Sequence, residues 1–143
     1  TKRQFCHDSY KAGDVLNGLD WERADRESAT VNYVRYLIKL RKNRPAFRLD
    51  SGAAIRRAIS FVADSEGLLA WQIDERLAGA GLATVLIAAN SRKEPVQLTL
   101  PGGRWRLLAS SATAETWDKG GGPELSGHIT IPEKSAMILE LCP

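Results

Sequence analysis

Four carboxylates, Asp8, Asp14, Asp20 and Glu22, fall within fifteen residues near the start of the 143-residue chain. Glycosidic-bond hydrolysis needs paired carboxylates, one as acid or base and one as nucleophile. Proximity in sequence is weak ground for such a pair, because the two groups are matched in space and usually come from different strands. Solvated loop carboxylates that cap turns are the plainer reading. His7, Asp8 and Ser9 cannot form a nucleophile relay, since the base has to stand between its two partners in space and three adjacent side chains do not. Cys6, His7 and Asp8 have no further ligands at recognisable metal spacing. Gly79-Ala80-Gly81 and Gly120-Gly121-Gly122 are not followed by Lys-Ser/Thr and a helix, so neither is a phosphate loop. No cofactor and no metal site is expected.

Aromatic side chains are the other candidates, because a sugar ring stacks on an exposed aromatic face. Trp71 and Trp105 lie in apolar runs that read as strands, where core packing is expected. Trp117 sits in a polar, glycine-rich loop and is left open between exposure and burial.

These residues must be positioned by the elements around them. Residues 1–21 show no sustained periodicity and are rich in Asp, Asn, Gly, Ser and Tyr, which favours turns. Twenty such residues need a larger body to lie against. The spacing then predicts a helix from Ser28 to Asn43, with Ser28 or Thr30 as N-cap, Asp25 and Glu27 near its start and Lys39, Arg41, Lys42 and Arg44 at its end, all matching the helix dipole. Tyr33, Val34, Leu37, Ile38 and Leu40 form its apolar stripe, and Pro45 ends it. Beyond residue 50 the periodicity shortens. Strands are predicted at 55–62, 68–74, 83–89, 96–100, 105–110, 128–131 and 136–141, with turn residues between them and no helical window, the pattern of an antiparallel sandwich or barrel.

Composition bounds the function classes. The chain is 43% hydrophobic and 26% charged, enough for one core but too short for a complete (β/α)8 barrel. The longest apolar run, Leu82 to Ala89, is broken by Thr84 and falls far short of the ~20 residues of a spanning helix, so no membrane partner is expected. Residues 1–57 carry 13 Lys and Arg against 7 Asp and Glu, and residues 58–143 carry 7 against 10. The acidic second part argues against one continuous nucleic-acid surface. A basic nucleic-acid module at Arg35–Arg48 would show binding that falls steeply with salt. Cys6 and Cys142, at opposite ends of the sequence, are read as free thiols, since one disulfide would require the termini to meet. The N-terminus lacks a Met and an apolar stretch; no signal peptide is expected, and the chain reads as beginning within something larger.

Thr1-Lys2, Asp8-Ser9-Tyr10, Ala12-Gly13-Asp14, Asn17 and Asp20-Trp21 together resemble the segment after the eighth barrel strand of type I pullulanases and limit dextrinases, glycoside hydrolases of the α-amylase superfamily. Cys6, His7 and Lys11 depart from the common form of that loop. Residues 36–48, with Leu40-Arg41-Lys42 and Pro45-Ala46-Phe47, are similar to the family's last barrel helix. Asn90 after an apolar strand, and Pro132-Glu133-Lys134-Ser135-Ala136 before Leu139, are similar to its terminal sandwich.

The resemblance implies a mainly β chain. Residues 1–50 would be the end of the catalytic barrel, a post-strand-8 loop and the last helix, and residues 51–143 a C-terminal antiparallel β-sandwich of about seven strands. The parent would hydrolyse α-1,6-glucosidic linkages in pullulan, glycogen or branched dextrins. None of the Asp or Glu residues here matches the family's catalytic motifs, so the isolated chain is expected to be inactive and structural, packing on the barrel and edging the substrate cleft. Asp8, Tyr10 and Trp117 are the candidate α-glucan contacts, and no nucleic-acid partner is expected. An α-glucan-binding sandwich carried by Trp117 and Tyr10 is the alternative. Whether the parent holds calcium, and where it is located, stay open.

Overall fold

The computed structural model describes residues 8–117 and 121–143. Cys6 and His7 lie outside the described residues. The turn-rich start forms short pieces only, a 3-10 turn at Ser9–Lys11 and single helical turns α1 (Asp14–Asn17) and α2 (Arg23–Arg26). The amide of Asn17 ties this loop together by donating to the carbonyls of Ser9 and Ala12.

Helix α3 spans Ser28–Asn43, the predicted range. Its N-cap differs from expectation. Glu27 occupies the position without a side-chain cap bond, because α2 leads almost directly into α3 and the Glu27 carbonyl accepts from Val31 N. Arg44 turns extended and Pro45 opens a second 3-10 turn, Pro45–Arg48.

The stretch 55–62, expected as one strand, is divided. Ser51 caps a helix α4 (Gly52–Ala58) by accepting from Ala54 N at 3.2 Å, and strand β1 (Ile59–Ser65) begins only after it. The alanines and arginines between residues 53 and 58 are good helix formers, and a capped start lets that propensity prevail over the spacing of Ile55 and Ile59. A one-turn helix α5 (Glu75–Ala78) interrupts the strands as well, capped by Asp74 and closed by Gly79 in the left-handed region at φ 69.

The remaining strands are β2 (Leu68–Asp74), β3 (Thr84–Asn90), β4 (Val96–Thr99), β5 (Trp105–Ser110), β6 (Glu115–Thr116), β7 (Glu124–Leu125), β8 (His128–Ile131) and β9 (Ser135–Leu141). Seven form one antiparallel sheet in the order β1-β2-β3-β9-β5-β6, with β7 also on β5; β4 and β8 pair as a second, two-stranded sheet. Along β2, Leu68 and Ala70 point into the main core with Leu86, Trp105, Leu107 and Leu139, closed from the other side by Leu98, Ile129 and Ile131. The intervening residues Trp71 and Ile73 point to the opposite face, as the period of two requires. There they meet a second cluster that includes Ala46 and Ala58, with Val85 on the same face. Cover over part of the second face, at Ile73 and Val85, explains why β2 and β3 read as nearly continuous apolar runs.

One glycine of the run 120–122 has a steric reason. A Cβ on Gly122 would stand 1.8 Å from the Leu107 carbonyl oxygen and 3.2 Å from the Trp117 side chain.

Candidate functional site

The predicted contact residues fall in two places. Asp8 and Tyr10 lie on the N-terminal turn, Tyr10 with 73% of its surface exposed and the Lys11 ammonium 5.2 Å above its ring. Of the neighbouring carboxylates, Asp20 is engaged by the Arg26 guanidinium, and Glu22 lies 3.4 Å from the same group. These acids hold α2 rather than facing each other across a reacting bond. Among the described residues, no hydrogen bond or ion pair joins residues 8–21 to the sandwich.

Trp117 belongs to a different environment. It is half-buried and packs against the main core. Its backbone is held at both ends, its N–H donating to Leu108 O at 3.0 Å and its carbonyl accepting from the Tyr36 hydroxyl at 2.9 Å. Trp105 is buried and Trp71 half-buried, as expected for core tryptophans, whereas Trp21 is 78% exposed. Cys142 is half-buried with a free thiol.

A cavity of about 600 Å³ lies where the end of α3 meets the sandwich, lined among others by Arg44, Glu75, Thr84, Glu140 and Cys142. Its two carboxylates have structural partners. Glu140 on β9 pairs with Arg44 at 2.6 Å. Glu75, only 2% exposed, accepts from Ala46 N at 3.0 Å through Oε1 and from Ala83 N at 3.3 Å through Oε2. Gly81 makes the second contact fit, since a Cβ there would lie 2.1 Å from Oε2. Sequence reasoning missed Glu75. The only signal for it was the small-residue run 78–81, which leaves room for a buried side chain.

Elsewhere two acids, Asp74 and Glu124, are ion-paired at the surface. A bidentate Arg76 guanidinium, at 2.9 and 3.0 Å, holds the Asp74 carboxyl below its ordinary range, and the bond from Arg106 does the same for Glu124, helped by Arg104. Burial raises the Tyr33 phenol. Among the described residues no group of three or more metal-ligating side chains comes together, and no helix is long and apolar enough to cross a membrane.

The fold and this site define a mainly β unit, an antiparallel sandwich entered through a helix, whose cavity carboxylates hold elements together. No family model matches the chain. It is 33% identical over 107 residues to the pullulanase of Bacillus subtilis strain 168, an alignment covering 74% of this chain and 15% of that protein. Among solved structures it superposes on the pullulanase of Bacillus acidopullulyticus with a TM-score of 0.81 at 26% identity, covering 93% of this chain and 16% of that one. It superposes on the type I pullulanase of Bacillus subtilis strain 168, solved with maltose, with a TM-score of 0.80 at 28% identity, covering 95% and 19%. By sequence and by fold the chain belongs with the pullulanases, as a pullulanase C-terminal part.

Proposed function

We propose that the chain is the closing part of a debranching hydrolase acting on α-1,6-glucosidic linkages in pullulan, glycogen or branched dextrins, and that its own role is structural. Residues 1–50 complete a catalytic (β/α)8 barrel, and residues 51–143 form a sandwich that packs against it. Asp8 and Tyr10 edge the substrate cleft, Asp8 by hydrogen bonding and Tyr10 by stacking.

The observation that carries this reading is the division of the α3 stripe. Leu40 is buried, and Tyr33, Tyr36 and Leu37 are half-buried toward the sandwich, where the Tyr36 hydroxyl reaches Trp117. Val34 and Ile38, one turn apart on another face, stay 47% and 51% exposed. Val15, Leu16, Leu19 and Trp21 in the preceding segment are exposed too. A helix with two apolar faces is built to be covered on both. The chain spans 15% of the curated relative's length, which leaves ample protein to supply the second cover.

The isolated chain is expected to release no reducing sugar from pullulan, while the full-length protein does. Turnover by the pure chain that disappears on Asp8→Asn or Asp14→Asn would overturn the structural role. The maltose held by a solved relative makes α-glucan the ligand to test. Titrating the chain with maltooligosaccharide while following tryptophan fluorescence separates the alternative binding module: a saturable shift lost in Trp117→Phe would favour it.

A further inference from the structure

The segment between residues 8 and 18 holds its shape by itself, since among the described residues no hydrogen bond or ion pair joins it to the sandwich. Its first element is the 3-10 turn Ser9–Lys11, closed by the Ala12 N–H on Ser9 O at 2.9 Å. One closed turn fixes several backbone dihedrals for a single hydrogen bond and is unfavourable alone. Asp8, at the cap position, makes no side-chain bond to the turn it precedes. Tyr10 stands in the middle of the turn, 73% exposed, with the Lys11 ammonium 5.2 Å above its ring.

The brace for this turn comes from eight positions further on. Helix α1 carries Asn17 at its last position, with the Leu16 and Asn17 N–H groups both on Gly13 O at 3.0 and 3.1 Å. The Gly18 N–H then closes on Asp14 O at 2.7 Å, an approach that leaves no room for a side chain, because a Cβ on Gly18 would stand 2.4 Å from that oxygen. From this base the Asn17 Nδ2 reaches back and donates to Ser9 O and, at 2.9 Å, to Ala12 O. Those carbonyls bracket the turn, one at its first residue and one just past its last. A primary amide suits the task, because it carries two N–H donors on one nitrogen and a single side chain can serve both carbonyls. A carboxylate of the same shape has only acceptors and would set its oxygens against both.

We propose that Asn17 is a positioning residue for the substrate cleft, holding the Ser9–Lys11 turn so that Asp8 and Tyr10 meet an α-glucan unit already arranged for it. This rests on the reading above that Asp8 and Tyr10 edge the cleft. Such preorganisation acts on binding: a stacking ring and a hydrogen-bonding carboxylate already in place lose less freedom when the sugar arrives. The contribution of Asn17 passes through the two side chains on the turn.

The test uses the full-length protein with pullulan as substrate. Asn17→Asp and Asn17→Ala are expected to raise KM about three- to tenfold with kcat within about twofold of wild type, and to move Tm by no more than ~2 °C. Tyr10→Ala is expected to raise KM as well, and adding Asn17→Asp to it should raise KM by less than the product of the single effects, because both substitutions remove the same contact. Wild-type KM in both Asn17 variants, or effects that multiply in full in the double variant, would overturn the positioning role. If Tyr10→Ala and Asp8→Asn both keep the wild-type KM, the cleft-edge reading fails and the positioning role fails with it. If those two variants raise KM and the Asn17 variants do not, the cleft-edge reading stands and the positioning role alone is overturned.

Discussion

Removing the Glu75 carboxylate should loosen the joint between α3 and the sandwich by a predictable amount. In Glu75→Ala the buried Ala46 N–H, now 3.0 Å from Oε1, is left without an acceptor, at about 1–3 kcal/mol. The longer bond from Ala83 N, 3.3 Å on a half-buried residue, adds about 0.5–1 kcal/mol, and the vacated volume adds a further cavity cost. One effect opposes these. Among the described residues no cation pairs with Glu75, so the substitution also removes the desolvation cost of a buried polar group. With the cavity and desolvation costs offsetting one another, the net expectation is a loss of about 1.5–4 kcal/mol. Glu75→Gln keeps one acceptor for Ala46 but turns an amide NH2 toward the Ala83 N–H, and should cost about 1 kcal/mol. Urea denaturation of the 143-residue chain reads both as a lower midpoint at constant slope. A Glu75→Ala midpoint indistinguishable from wild type, or a Glu75→Gln variant more stable than wild type, would refute the reasoning and show that the cost of burying this side chain outweighs its hydrogen bonds.

Asn90 is buried and its Nδ2 donates to the carbonyls of Glu94, Ile131 and Pro132 at 2.9, 3.2 and 3.0 Å, while Oδ1 accepts from Arg92 N at 2.9 Å. Asn90→Ala is expected to cost about 2–4 kcal/mol, read by the same denaturation, and Asn90→Asp should rescue little because a carboxylate cannot donate. Asp74 caps α5 through Arg76 N and pairs with the Arg76 side chain. Its folded value is depressed, so its contribution is present above the ordinary carboxylate range and is lost as pH falls through the folded value. Asp74→Ala should therefore cost about 1 kcal/mol at neutral pH, a gap that narrows below roughly pH 4 in a pH series of melting curves.

The limits of α3 were legible because its signals are local: charge at both ends, a stripe at helical spacing and Pro45 beyond it. Strands β2, β5 and β8 begin and end where their turn residues place them. Helix α4 was hidden by Ile55 and Ile59, whose four-residue interval suits a strand as well as a helix; the cap at Ser51 decides. Strands β6 and β7 have two residues each, below any periodicity. Glu75 was illegible for another reason. In the run Asp74-Glu75-Arg76 it looks like a solvated acid, and the group that makes it structural, the Ala46 N–H, comes from a turn 29 positions away. For the candidate contacts, local composition separated Trp105 from the loop tryptophans, but Trp117 is packed against the main core and its carbonyl is held by the Tyr36 hydroxyl 81 positions away, neither of which a local window contains.

The joint fixes how α3 is seated on the sandwich. Among the described residues, α3 and the turn after it are tied to the sandwich by Tyr36 to the Trp117 carbonyl, Arg44 to Glu140, and the Ala46 N–H to Glu75. They lie about a turn or two of chain apart and reach three separate parts of the sandwich, the loop after β6, strand β9 and helix α5. A single contact would leave the helix free to pivot about it; contacts to several separate parts of the sandwich hold its orientation. Ala46 and Ala58, on either side of residue 50, share one apolar cluster with Ile73 and Val85, so the helical lead-in and the sandwich are packed together where the chain passes between them. In the proposed reading, a body that seats on Val34 and Ile38 would then be held in register with the sandwich through the helix. The Glu75 variants bear on this directly, because freeing the joint should weaken that coupling without touching either apolar face.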